Sequence, residues 1–335
     1  MSTAVENKPQ APRSPIHSIG KLVALCAFAA MMSTFGPFAL VAPAAIALAF
    51  IYYGLVKVVV SVVLTAFGLY FLGGQGVNAI GSIGTFVYSC LIGLFIDRLI
   101  FRKVHPVKGI LLGGTVFYAG FSFLAYILLV ISSNSLDGVI LNQVNNLVSQ
   151  IQKSPEYAEI LSSGGDQARQ LKSLVKSPEL MVQQIVNWLP SVAFIGVFLS
   201  LWASFYFVLR NSMAWRSQRK YPFGLLHLTF FKLPFWLVYP LIIGLIFAVI
   251  GDSIEGIDFS VVGFNILYCL GSLYFFQGFG VFYDYLTVKG YRGLIKSLLI
   301  TIAVVFMWRL VVLVGLLDLW INFRKFYVKK IEGEK

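Results

Sequence analysis

The amino-acid sequence predicts an all-α fold, a polytopic transmembrane helical bundle of about eight or nine spans with a short helical extracytoplasmic cap. Three observations carry this. Long apolar stretches recur along the chain, only 12% of its residues are charged, and the basic residues gather in alternate loops. Soluble chains carry about 25% charged residues. A bilayer leaves a crossing segment few options, because its backbone must hydrogen-bond internally as a helix or within a closed barrel. Stretches such as Leu189–Leu209 and Leu298–Leu317 are continuously apolar, whereas barrel strands alternate over segments of about 10 residues.

The elements follow in order. Residues 1–18 are polar and hold Pro9, Pro12 and Pro15, which predicts a disordered cytoplasmic tail. Lys8, Arg13 and Lys21 precede the first apolar run, which reads as a retained helix rather than a removed signal because another span follows within a few residues. Spans are expected at 20–35, 38–53, 55–73, 77–99 and 107–132, forming an N-terminal bundle within 19–132. Four more, at 188–210, 234–250, 260–286 and 297–318, form a C-terminal bundle within 188–320, before a basic tail at 321–335. The first two fall short of the roughly 20 residues a hydrocarbon core requires. Gly36-Pro37 separates them and Pro43 interrupts the second, so a broken or tilted pair is expected.

Loop charge orients the bundle. Arg98, Arg102, Lys103 and Lys108 lie between spans four and five, Arg210 to Lys232 between six and seven, and Lys289, Arg292 and Lys296 between eight and nine. The positive-inside rule places these loops and the N-terminus in the cytoplasm. Asp252, Glu255 and Asp258 fall on the opposite side. Nine crossings would put the basic tail from Arg324 to Lys330 outside, so either one segment fails to cross or the tail breaks the rule.

The segment 133–187 is the one sizeable stretch expected outside the membrane. Leu136, Ile140, Val144, Leu147 and Ile151 recur at helical spacing, predicting an amphipathic helix. Two Lys-Ser-Pro-Glu copies, at 153–156 and 176–179, read as helix starts with Ser as N-cap and Pro in the first turn. Gly164-Gly165 breaks the chain between them.

No constellation for catalysis is evident, and the chain is not expected to be an enzyme or to hold a cofactor or metal. His17, His105 and His227 have no Cys, Asp or second His at ligand spacing. There is no P-loop, nucleophile elbow or intramembrane carboxylate pair. Cys26, Cys90 and Cys269 lie in apolar spans and read as buried small hydrophobes. The excess of 26 Lys plus Arg over 14 Asp plus Glu follows loop topology and forms no cationic domain, so no nucleic-acid partner is expected. The glycines around Gly73–Gly76, with Gly81, Gly84 and the Gly109/Gly113 pair, read as close helix packing. Trp188, Trp215, Trp236 and Trp320 match an aromatic belt.

Polar groups inside spans carry more information, since each needs a partner where water is absent. Arg309 sits near the centre of the last span, with Asn265 and Gln277 on span eight as candidate partners. These three are the candidate ligand-binding residues. They fit either an anchor for an anionic ligand or a hydrogen-bond clamp between helices. Asp97-Arg98 and Asp284 mark cytoplasmic span ends and are expected to pair at the interface or with a neighbouring loop.

A set of short motifs runs along the C-terminal half in order: Asn187-Trp188-Leu189-Pro190, the basic run Arg210 to Lys220, Phe231-Lys232-Leu233-Pro234, Asn265, Gln277-Gly278, Gly315-Leu316-Leu317-Asp318 and Phe323-Arg324-Lys325. With Tyr53-Gly54 and Asp97-Arg98 in the N-terminal half, they resemble the YybS-like family of bacterial integral membrane proteins, over nearly the whole chain except 133–187. That family is distantly similar to the substrate-binding membrane subunits of energy-coupling-factor transporters. The resemblance implies a multi-pass protein of the bacterial inner membrane that binds or transports a small molecule. With no ATP-binding motif in the chain, energy for transport would come from membrane partner subunits, for which Cys26 and Ala30 offer a small-residue docking point, or from an ion gradient. The alternative is a membrane scaffold for envelope or division machinery, docking through the basic loops.

Overall fold

The computed structural model describes residues 19–72, 77–132, 135–154, 177–216, 218–251 and 258–326, with single positions 157, 165 and 175. The tail at 1–18, the run 73–76, Gly164, Asp252, Glu255, Lys176, Pro155-Glu156 and the basic residues beyond 326 lie outside these. Among the described residues every regular element is helical. Five helices are long and apolar enough to cross a bilayer, or six if a bent C-terminal pair is counted as one span, and three more apolar helices are shorter. All nine expected segments are therefore helices, but fewer than nine have a spanning length.

The chain forms two compact units. The first takes residues up to Val104 together with Ser200–Pro222. It contains α1 (Ile19–Thr34), α2 (Ala42–Tyr53), α3 (Leu55–Leu72), α4 (Val77–Phe101), the later part of α7 (Pro178–Arg210) and α8 (Ser212–Trp215). Pro43 does not interrupt α2. It lies in its first turn, where the missing N–H has no partner to lose. The break before it is a 3₁₀ turn, Gly36–Leu40, entered at φ +31° by Gly36. The Leu40 carbonyl at its end accepts hydrogen bonds from the Ser200 and Ser204 hydroxyls at 3.1 and 3.2 Å. Irregular backbone at membrane depth requires such partners. Cys26 and Ala30 are buried in this unit's core with Ile46, Phe50 and Phe86, so they pack within the chain rather than present a docking surface. A Cβ on Gly93 would stand 2.8 Å from Ile46, so α2 and α4 pack at backbone distance there. Gly81 and Gly84 face open space, so the expected close packing is absent at those two glycines.

The basic loop of this unit is held to the helices. Asp97 on α4 pairs with Arg219 at 3.5 Å, and Arg219 also lies over the Phe101 ring. The Tyr221 hydroxyl donates to the Val104 carbonyl at 2.7 Å. Trp215 is not part of an exposed belt. It is fully buried, its Nε1–H donating to the Val208 carbonyl at 2.9 Å, because the loop folds back under α7. Trp188, Trp236 and Trp320 are exposed as a belt requires.

The second unit takes His105–Leu199 and the chain from Phe223 onward. It contains α5 (Pro106–Ser132), α6 (Leu136–Lys153), the earlier part of α7, α9 (Leu225–Thr229), α10 (Val238–Ile250), α11 (Phe259–Val288), α12 (Gly293–Phe306) and α13 (Trp308–Ile321). Helix α6 occupies the predicted amphipathic stretch, and its Ser135 N-cap accepts from the Gly138 N–H. Helix α7 starts at Pro178 in the second Lys-Ser-Pro-Glu copy, as its capping chemistry predicts.

Helix α11 packs most heavily against α10 and α13. At the α11/α13 crossing a Cβ on Gly278 would strike the Val311 carbonyl, and one on Gly315 would strike the Tyr274 carbonyl. The last expected span, 297–318, is not one straight helix: α12 and α13 meet at Met307 with a bend of 95°. Their contacts along α11 give the direction. Lys296 near the start of α12 donates to Thr287 at 2.6 Å. Val304 and Trp308 share a cavity wall with Tyr268, Gly271 and Ser272. Gly315 then meets Gly278, Asp318 meets Gln277 and Arg324 meets Asp284. The chain climbs along α11 and comes back down, so the pair is re-entrant. Arg324 consequently lies at the same end of α11 as Lys289 and Arg292, basic residues of this unit that follow α11.

Candidate functional site

Helix α7 carries Pro190 in its interior. A proline there cannot donate to the carbonyl four residues back, Val186, and its ring opens the helix around it. In a straight helix the next bond would run from the Ser191 N–H to the Asn187 carbonyl. The Asn265 carboxamide on α11 contacts both of these groups. Ser191 N–H donates to Asn265 Oδ1 at 2.9 Å, and Asn265 Nδ2 donates to the Asn187 carbonyl at 2.7 Å and to the Val261 carbonyl at 2.9 Å. The side-chain amide thus supplies partners for backbone groups beside Pro190 and joins α7 to α11.

Beside this bridge is a cavity of about 740 Å³ bounded by α5, α7, α10 and α11. Its wall is apolar and aromatic, with Tyr118, Phe194, Phe198 and Trp236, and with Cys269 on α11. Asn187, Asn265 and the hydroxyl-bearing Thr115 and Tyr118 are the polar residues that line it. Val186 and Asn187 also line a second cavity of about 630 Å³, between α6 and the start of α7. That space is more polar than the first: Asp137, Glu179 and Gln183 face it, and no basic side chain is among the described residues that line it. An apolar chamber and an acidic vestibule therefore meet at the turn of α7 just ahead of its proline.

The three residues singled out from sequence do not converge. Asn265 lies on the chamber wall, but both of its amide hydrogens are already donated to backbone carbonyls. Gln277 is fully buried elsewhere, accepting from the Leu233 N–H at 3.0 Å and donating to Asp318 Oδ2 at 3.1 Å. Arg309 is exposed, with its guanidinium 5.3 Å from the centre of the Trp308 ring, and the expected pairing with Asn265 or Gln277 is not formed.

A polar network that the sequence did not disclose lies at the Val288 end of α11. The buried Asp318 accepts from Gln277 and, through Oδ1, from the Phe323 N–H at 2.8 Å. Arg324 pairs with Asp284 at 2.9 Å and donates to the carbonyls of Thr229 and Phe231 at 3.1 and 3.4 Å. Its guanidinium lies over the Phe230 ring. These groups satisfy the non-helical backbone between α9 and α10. The available signal was Asp318 and Arg324 together, two charges flanking the end of an apolar helix.

His105 and His227 come together as well, with ring centroids 6.1 Å apart and both edge-on to Phe223. Burial, then the neighbouring His227 and Lys108, hold the His105 pKa below its ordinary value. Among the described residues no three His, Cys, Asp or Glu side chains are grouped to hold a metal ion.

No curated protein matches the chain. No solved structure matches it. The profile of one sequence family, "Predicted membrane protein (DUF2232)", covers residues 22–319. That range takes in all or most of every apolar helix together with Asn265, Gln277, Arg309 and Asp318, and the chain belongs to this family of membrane proteins.

Proposed function

We propose that the second unit binds a small amphiphilic molecule, with its apolar body in the chamber and its polar head in the vestibule, as a step in membrane transport. The role is binding rather than catalysis. The observation that carries this reading is the chamber itself, about 740 Å³ of mostly apolar space lined by a few polar groups. Ligand sites typically have this composition and occupy about 300–1,000 Å³. Asp137 and Glu179 favour a neutral or cationic head over an anion. The YybS-like resemblance, with its distant similarity to substrate-binding subunits of energy-coupling-factor transporters, agrees with this role. On this reading the protein sits in a bacterial inner membrane, with the N-terminus on the cytoplasmic side that the loop charges favour and energy supplied by partner subunits or an ion gradient.

The test uses full-length protein in lipid nanodiscs with dodecylamine, dodecanol and dodecanoate as probes. Cys269 lines the chamber, and its labelling by a lipophilic maleimide reports occupancy. The amine and alcohol should slow labelling, and at a hundred times Kd should stabilise the fold by about 2.7 kcal/mol. Thr115→Trp, which adds bulk at the wall, should abolish protection while the protein still folds. Protection by none of the probes, or protection that survives Thr115→Trp, defeats the reading.

A further inference from the structure

Arg309 does not line the proposed chamber, and its position calls for a separate account. Helix α11 has 30 residues, about 45 Å, which matches a bilayer of about 40–45 Å including headgroups. Helix α13 crosses it where Gly278 meets Gly315. Arg309 precedes Gly315 by less than two turns, about 9 Å toward the Phe259 end. The guanidinium-bearing residue therefore lies about 20–24 Å from both ends of α11, near mid-membrane.

At that depth an Arg costs about 2.5–3.5 kcal/mol on insertion scales unless it is partnered. Among the described residues Arg309 makes no ion pair or hydrogen bond within the chain, only the ring contact with Trp308. Its neighbours Val305, Phe306, Leu310 and Leu313 are exposed apolar residues, so the surface around it is suited to a membrane interior.

Trp308 also lines a groove of about 490 Å³ with Tyr268, Phe275, Gly271 and Ser272. A Cβ on Gly271 would meet nothing within 4 Å, so the floor is open. Small floor residues let a helix backbone approach closely. We propose that this groove and Arg309 form a docking site for a transmembrane helix of another protein bearing a carboxylate at mid-membrane depth.

Charge complementarity selects this occupant. A second copy is a poor candidate, because Asp97, Asp284 and Asp318 on its described spans are each engaged within their own unit and Glu179 stands in the first turn of α7, away from mid-membrane. A lipid headgroup is also poor, since snorkelling shortens but does not close a gap of about 20 Å.

The experiment places the full-length, fluorophore-labelled protein in phosphatidylcholine vesicles with synthetic Leu/Ala transmembrane peptides. The peptides are identical except for one central Asp, Leu or Lys, and association is read by energy transfer. The Asp peptide should bind about tenfold more tightly than the Leu peptide. Arg309→Gln should remove that preference without lowering the unfolding temperature, and Arg309→Asp should transfer it to the Lys peptide. Equal binding of the Asp and Leu peptides, or a preference that persists in Arg309→Gln, overturns the proposal. So does an Arg309-dependent response to added phosphatidylglycerol with indifference to the peptides, which assigns the residue to a headgroup. Arg309-dependent self-association overturns it in favour of a second copy.

Discussion

Replacing Asn265 with leucine removes the amide that partners the α7 backbone beside Pro190. Three hydrogen bonds go with it, two of them to Ser191 and Asn187 across the helix pair. Polar contacts between membrane helices average only about 0.6 kcal/mol, with a maximum near 1.7. The larger loss comes from the groups left behind, because an unpaired buried donor or acceptor costs about 1–3 kcal/mol. Asn265 is half-buried, so the expected total is about 2–3 kcal/mol. Pro190 is the reason the amide is needed. In a Pro190→Ala background the Ser191 N–H can reach the Asn187 carbonyl within a straight helix, and Asn265→Leu should then cost less than about 1 kcal/mol. The double-mutant cycle is measured by reversible unfolding in mixed micelles with increasing dodecyl sulfate, followed by tryptophan fluorescence and circular dichroism. A coupling energy of about 1–2 kcal/mol is expected. Strict additivity, with Asn265→Leu equally costly in both backgrounds, would refute the bridging argument.

Three further outcomes follow from the second unit. Gly278→Ala and Gly315→Ala each place a methyl against a backbone carbonyl that cannot rotate away, and each should lower stability by about 1–3 kcal/mol in the same unfolding assay. Arg324→Lys keeps the charge beside Asp284 but lacks the fork that reaches the Thr229 and Phe231 carbonyls. It should therefore be destabilised nearly as much as Arg324→Leu, and proteolysis between α9 and α10 should accelerate in both; full rescue by Lys would count against the fork. His105 has a folded pKa held below 6.5, by burial first and then by His227 and Lys108. The folded state thus binds fewer protons than the unfolded chain just below that pH. Stability should be complete above about 6.5 and decline as pH falls, and His105→Gln should flatten that slope in unfolding curves taken at several pH values.

Much of the secondary structure was legible in the chain. The apolar stretches became helices, α7 starts at the Ser177-Pro178 signal, and the spacing of Val144 and its neighbours located α6. Length, apolarity and capping are local properties, so they can be read without knowing what packs where. The candidate site was legible only in part. Asn265 was found on the chamber wall, but Gln277 took Asp318 rather than Arg309 as its partner. Arg324, expected in a tail, joins Asp284 in the second unit.

The physical reason lies in the solvent. In water a helix shows its buried face by hydrophobic contrast, but in lipid both faces are apolar and that contrast vanishes. Composition alone therefore determined that this chain is a helical membrane protein and approximately where its helices lie. Which faces meet was decided by tertiary detail: glycines permitting contact at Gly278 and Gly315, the Asn265 amide bonded to the backbone beside Pro190, and a 95° bend at Met307. The return of α13 along α11 depends on those contacts between residues distant in sequence, and no local pattern encodes it.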